Sequence, residues 1–258
     1  MTIRPVPKSI LITGATGAIG AALAQAYAAP GQTLVLHGRN LARLEEVAAS
    51  CRAAGAHVLT QDIDLRETQL VLGWVEAMCE EHALDLVIAN AGMNIDNGPD
   101  DAGEEWEEME ALIDTNIKAA IATVKAAVPF MRARGSGQLV LISSLAGFYG
   151  LPVTPTYSAS KAAVKAYGEA MRGWLEPYGV AVNVVMPGYV SSPMCHDMPG
   201  PKPFLWQPER AAAVIQRGLL RDKPRITFPF PLDYGCWWLA VLPPSWSQRI
   251  LRWLDYGN

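Results

Sequence analysis

The sequence predicts an α/β protein built on a doubly wound parallel sheet, and three observations carry that expectation. Short apolar runs of strand length recur along the chain, stretches of helical periodicity separate them, and glycine- or asparagine-bearing turns follow the strand ends. At 258 residues the length suits one such domain with a sizeable core. Half the residues are hydrophobic and 18% are charged, the balance of a globular chain. A formal net charge of −4 argues against nucleic acid as the main partner. The first residues run into a strand with no leader-like pattern, and no apolar run approaches the roughly 18 residues of a spanning helix. Cys51, Cys79, Cys195 and Cys236 lie far apart with no paired spacing, so neither a metal site nor a disulfide framework is expected, and the setting reads as cytoplasmic.

Residues 9–12 form an apolar run of buried-strand type. The turn Gly14-Ala15-Thr16-Gly17-Ala18-Ile19-Gly20 follows, and then a helix through 21–27. Strand, glycine turn and helix make a phosphate cradle: glycine lets the backbone approach a pyrophosphate, and the helix N-terminus offers N–H donors. Residues 33–36 are the second strand, ending in His37-Gly38-Arg39-Asn40. A carboxylate here would bind a ribose 2′-hydroxyl; Arg39 matches a 2′-phosphate instead, so NADP(H) is expected ahead of NAD(H).

A helix over 41–54 carries Leu41, Leu44, Val47 and Ala48 on one stripe. After a third strand at 57–60, Asp62 suits an adenine amino group with Ile63 over the ring, or else the cap of a helix beginning near Arg66. Helix 70–81, strand 84–88 and the turn Asn90-Ala91-Gly92 complete a third β-α repeat. A polar loop spans 96–105, and a long helix over 105–134 is expected to bend before Pro129. Asn116 stands in mid-helix, where asparagine is disfavoured unless its side chain has something to bind. Strand 138–142 delivers Ser143 and Ser144; after a loop over 145–155, Tyr157 opens a helix to about 178, and strand 180–186 ends at Pro187-Gly188. Helix 208–220 and strand 225–228 follow.

Tyr157 and Lys161 lie one helical turn apart on the same face. An ammonium beside a phenol favours phenolate and brings a group of pKa about 10 toward neutrality. A lone Tyr-xxx-Lys spacing is usually an ordinary helix-surface pair; here it arrives with Gly14, Asn90, Asn116, Ser144 and Pro187-Gly188 in order.

In that order and spacing, over roughly 9–192, the chain resembles the single-domain short-chain dehydrogenases/reductases. The resemblance implies a Rossmann-type seven-stranded parallel sheet and an oxidoreductase passing hydride between NADP(H) and a carbonyl or alcohol. It implies Tyr157 as acid/base, Lys161 on the nicotinamide ribose, Ser144 orienting the substrate oxygen, and Asn116 holding a helix distortion and a water. It also implies that Asn90, Ala91 and Gly92, with Pro187, Gly188, Val190 and Ser192, flank the cofactor. Ser143, Ser158 and Ser160 read as loop or helix hydrogen-bonders.

Two departures stand out. Ala18 occupies a glycine position of the family's turn, and Ser192 stands where threonine is usual. The alternative reading Gly14-x-x-Gly17-x-x-Gly20 resembles the longer sugar-nucleotide branch, but too little chain follows Gly188 for its second domain. Arg132 also stands where that branch carries its catalytic hydroxyl.

Substrate selection is expected from a lid region over about 191–222. Met194, Met198, Phe204 and Trp206, facing Phe148, Tyr149 and Leu151, would line an apolar or mixed pocket, while His196 reads as an ordinary loop residue. The tail over about 233–258 is rich in tryptophan and leucine, and an exposed patch of that kind should be covered. Subunit packing in a homodimer or homotetramer is preferred to peripheral membrane contact beside Arg249 and Arg252, and to a greasy channel. The competing functions are a sugar or polyketide/acyl ketoreductase and a nucleotide-binding regulator without turnover.

Overall fold

The strand β1 (Ser9–Ile12) sets the layering. Ile10 and Ile12 point to one face of the sheet and Leu11 to the other, as a period of two requires, and all three are fully buried. Each contributes on the order of 1.5–3 kcal/mol of hydrophobic stabilisation. The computed structural model describes residues 3–98, 102–198 and 200–254. Residues 99–101 of the expected polar loop, 199 of the expected lid and 255–258 of the tail lie outside the described residues.

Six further strands join β1: β2 (Thr33–His37), β3 (His57–Gln61), β4 (Leu86–Ala89), β5 (Gly137–Ile142), β6 (Val180–Pro187) and β7 (Arg225–Phe228). All pair in parallel in the order β3-β2-β1-β4-β5-β6-β7. Helices α1 (Ala18–Tyr27), α2 (Leu41–Ala53) and α8 (Pro208–Leu220) cover one face, and α3 (Thr68–His82), α5 (Ala120–Arg134) and α6 (Pro155–Leu175) cover the other. Between them in sequence come α4 (Trp106–Ile113) and the short α7 (Pro193–Asp197); α9 (Leu232–Val241) and α10 (Pro244–Trp253) close the described chain. The Rossmann-type doubly wound sheet is thus as the sequence predicts.

Two local expectations change. Helix α5 continues through Pro129, where a bend is expected from the sequence, while the long helix is distorted at a π-helical segment, Asp114–Ala119, as the resemblance implies for Asn116. Asn116 supplies the reason, because its side chain bonds outside the helix and a widened turn gives it room. On α2, Leu44, Val47 and Ala48 are buried as expected, whereas Leu41 is exposed at the first turn, before the helix closes on the sheet.

Candidate active site

The strand order reverses between β1 and β4, and the crevice of a doubly wound sheet opens at that point beyond the strands' C-terminal ends. Asn90, just after β4, ties the two sides together. Its amide donates to the carbonyls of Thr13 at 2.9 Å and Gly14 at 3.0 Å, while the Thr13 hydroxyl accepts from the backbone N–H of Asn90 at 3.0 Å and of Ala91 at 3.1 Å. Gly14 has φ +66°, and a Cβ there would lie 2.7 Å from the Ala91 Cα. A Cβ on Gly20 would lie 2.3 Å from the Gly14 carbonyl oxygen. Glycine is required at both positions because turn and helix pack backbone to backbone.

A cavity of about 800 Å³ runs along this edge. Gly14, Thr16, Gly17, Ala18, Ile19 and Gly20 line one end, beside Arg39, Asn90, Ala91 and Gly92. Ser144, Tyr157, Lys161, Pro187, Gly188, Val190 and Ser192 line its middle, with Tyr149, Leu151, Met194 and Met198 beyond. Asn116 is not in the wall; it sits behind it, 1% exposed, with Thr115 at the surface of the cavity.

The expected acid-base group is assembled here. Lys161 donates to the Ile142 carbonyl at 3.1 Å, and its Nζ lies 5.5 Å from the centre of the Tyr157 ring. A Cβ on Gly92 would meet Asn116 Oδ1 at 3.1 Å and Lys161 Nζ at 3.3 Å, so this glycine keeps the floor between them open. Ser144 caps the turn Leu145–Gly147 by accepting from the Ala146 N–H at 3.1 Å, and its hydroxyl donates to the Pro187 carbonyl at 3.4 Å. Ser143, Ser158 and Ser160 hold backbone or helix contacts, as expected: Ser143 donates to the Lys161 carbonyl at 2.7 Å, Ser158 accepts from the Leu151 N–H at 3.0 Å, and Ser160 donates to the Tyr157 carbonyl at 2.7 Å.

The electrostatics differ from the simple phenol–ammonium picture. Burial raises the Tyr157 phenol above its ordinary value, and the group that counters it is Ser144, by hydrogen bonding, rather than Lys161. Burial also pulls the Lys161 ammonium down to about 8. Desolvation outweighs mutual attraction because Lys161 is buried and its nitrogen is turned to the Ile142 carbonyl.

Whether the glycine end suits a dinucleotide can be read from its donors. Gly17 caps α1 with no side-chain hydrogen bond, so no side chain covers the first-turn amides at the cavity. Ala18 is accommodated in that wall. Arg39 is exposed and in no ion pair among the described residues. The residues present therefore fit a pyrophosphate at α1 and a further phosphate at Arg39.

Several expected lining residues lie elsewhere. Asp64 and Leu65 reach the cavity in place of Asp62 and Ile63, because β3 runs to Gln61 and the chain turns only afterwards, where Asp64 holds Arg66. That bond, ahead of the other influences, lowers the Asp64 carboxyl to about 2. The Ile63 carbonyl instead meets His37 Nε2 at 2.9 Å. Phe148 packs against Leu145, Val184 and Met186 on the far side of its turn, under the Arg225 guanidinium. Trp206 turns back to bridge Val190 and stack on Phe228, 5.1 Å between centroids, and Phe204 is exposed. His196 only pairs with Ser191 at 3.1 Å.

The sequence also leaves unplaced a whole wall. Leu232, Gly235, Cys236, Trp238, Leu239 and Leu242 of the α9 segment, with Ile250, Leu251 and Leu254 around α10, close the far half of the cavity. The Ser247 hydroxyl donates to the Leu239 carbonyl at 2.8 Å, joining α9 to α10, and Tyr149 donates to the Pro244 carbonyl at 3.5 Å. The greasy-channel reading of the tail anticipated this wall. The signal available was the spacing of Leu232, Cys236 and Leu239 on one face.

A seven-stranded parallel sheet with this crevice defines a doubly wound nucleotide-binding class of fold. The family model for "short chain dehydrogenase" matches residues 8–201, and the chain belongs to the short-chain dehydrogenase/reductase family of oxidoreductases. An uncharacterized oxidoreductase of Myxococcus xanthus is 35% identical over 92% of this chain and 93% of its own length. A protein named ketoacyl reductase HetN, from Nostoc sp., is 36% identical over 71% of this chain and 64% of its own. A solved short-chain dehydrogenase of Sphingobium yanoikuyae, in complex with NADPH, superposes with a TM-score of 0.80 at 27% identity, covering 95% of both chains.

Proposed function

We propose that the chain transfers hydride between NADP(H) and the carbonyl or alcohol group of a lipophilic small molecule, with Tyr157 as acid/base. The observation that carries this reading is that Ser144, Tyr157 and Lys161 line the same cavity as the glycine turn before α1. Bound NADPH would supply the hydride. Tyr157 holds the proton that goes to the substrate oxygen as the new C–H bond forms, and returns to the phenol form by taking a proton from the Lys161 side. Its raised pKa keeps it protonated at neutral pH, which suits carbonyl reduction. Ser144 orients the same oxygen and stabilises its developing charge. Lys161 would hold the nicotinamide ribose beside Gly92, and Asn116 positions the floor beneath it.

NADP(H) is preferred to NAD(H) because Arg39, exposed and in no ion pair among the described residues, stands where a ribose-binding carboxylate would otherwise be. The NADPH complex of the Sphingobium relative supports a nicotinamide cofactor. Four free cysteines accord with a cytoplasmic setting. The test is a screen of ketones, aldehydes and alcohols followed at the reduced-nicotinamide absorbance, with calorimetric titration of NADPH and NADH. Absence of both binding and turnover would sink the proposal.

A second reading, ketoreduction of an acyl intermediate, is favoured by the name of the Nostoc relative. The apolar wall of α9 and α10 speaks for an acyl chain and against a sugar. A regulator without turnover would have no use for the intact Ser144, Tyr157 and Lys161 group.

A further inference from the structure

The helix pair α9–α10 does more than wall the cavity. Its outer surface exposes Phe230, Tyr234, Trp237, Trp238, Trp246 and Trp253, the last at 83%. Two of these contacts are aromatic pairs within the surface itself, Phe230 with Tyr234 and Trp237 with Trp238, so the rings form a patch rather than scattered singles. On α10, Trp246 and Trp253 are exposed, while Ser247 and Leu251 are buried and Ile250 turns to the cavity. The apolar arc of this helix is therefore wider than the stripe it buries.

Among the described residues of α9 and α10 the exposed charges have one sign, while Asp197 is exposed on the neighbouring α7. Asp233 is buried, its carboxylate accepting from Thr227 Oγ1 at 2.9 Å, and the exposed charges over 229–254 are Arg249 and Arg252. Tryptophan and tyrosine beside exposed arginine is the composition of a helix lying in a lipid headgroup layer. A second copy in an isologous pairing would bring the same two arginines, with no counter-charge from the described residues of α9 and α10. An anionic bilayer supplies that counter-charge. No described helix is long and apolar enough to cross a membrane, so the contact would be peripheral.

The cavity opens within the same surface. Trp238, Leu254 and Met194 both line it and are exposed, which places its mouth between α9, α10 and the short α7. We propose that α9 and α10 dock the protein on an anionic lipid surface, and that the mouth between Trp238, Leu254 and Met194 receives an amphiphilic substrate from the bilayer. The docking stands on the surface alone; the substrate class rests on the oxidoreductase reading above.

The test is sedimentation of the full chain with vesicles of phosphatidylglycerol and phosphatidylcholine, against phosphatidylcholine alone. The wild type should co-sediment with the anionic vesicles. Arg249→Glu with Arg252→Glu, and separately Trp246→Ser with Trp253→Ser, should each weaken partition by about tenfold or more. All four side chains lie outside the cavity wall, so NADPH binding and reduction of a water-soluble ketone should be unchanged in both variants. Tyr157→Phe should sediment like the wild type. Wild-type protein that stays in the supernatant, or variants that sediment equally well, would overturn the docking. So would light scattering that shows a dimer dissociated by the tryptophan variant. Vesicle binding without NADPH binding would uphold the docking and remove the oxidoreductase reading.

Discussion

Asn116 and Met93 exchange two hydrogen bonds: the amide Nδ2 donates to the Met93 carbonyl at 2.9 Å, and Oδ1 accepts the Met93 N–H at 2.8 Å. A third bond runs from Nδ2 to the Ser160 hydroxyl at 3.1 Å, one residue before Lys161. The π-helical turn, the exit of β4 and the start of α6 are thereby fixed to one side chain. Asn116→Leu leaves both Met93 backbone groups without partners. It is expected to cost about 2–4 kcal/mol, read as a lower urea midpoint with unchanged slope. A variant as stable as the wild type would show that the clamp contributes nothing.

Tyr157→Phe keeps the ring and removes the proton. Turnover should fall by about 10²–10⁴-fold or more, with NADPH affinity within a factor of two or so in calorimetry. Because burial raises the phenol, reduction should be flat through neutral pH and decline only under alkaline conditions, whereas alcohol oxidation should climb with pH. A reduction profile that falls between pH 6 and about 8 would contradict the protonated phenol.

Arg39→Ala removes the charge proposed for the 2′-phosphate. The loss of one or two charge-assisted bonds at about 1.5–3 kcal/mol predicts roughly 10- to 100-fold weaker NADPH binding, with NADH little changed. Titration of both nucleotides against both proteins decides it, and equal losses for the two would remove Arg39 from the recognition.

Lys161 should be expensive to fold around. Burial lowers its ammonium to about 8, while the unfolded chain keeps the proton to about 10.4. Between those values the unfolded state holds more protons, so stability rises with pH there; below about 8 the cost of the buried charge is present in full. Lys161→Met is expected to gain about 1–3 kcal/mol at pH 7, after allowing for the lost bond to Ile142, and to gain less at pH 10. Urea midpoints at the two pH values measure this, and turnover should be lost in the same variant.

The sheet was readable because buried parallel strands announce themselves as apolar runs, and Pro208–Leu220 and Arg225–Phe228 fall where periodicity puts them. The glycine turn and Asn90 were readable because backbone contact admits few residue types, and the meeting of Ser144, Tyr157 and Lys161 at one cavity was readable from their order and spacing. That Asp64 rather than Asp62 lines the cavity depends on where β3 ends, and nothing in the local sequence marks that end. Phe148 and Trp206 pack away from this cavity for another reason: an aromatic side chain in a loop satisfies a pocket or a core equally well, and tertiary packing chooses. The tail resisted most, since its helices are apolar over more than one face.

The wall that completes the cavity comes from the last two described helices, while the glycine turn and the Ser144–Tyr157–Lys161 group come from the first 161 residues. On the proposed function, what is transformed and how it is transformed would be written in separate stretches of the chain. Segment 229–254 could be exchanged between relatives as a cassette, altering which molecules are accepted while leaving the reactive centre in place.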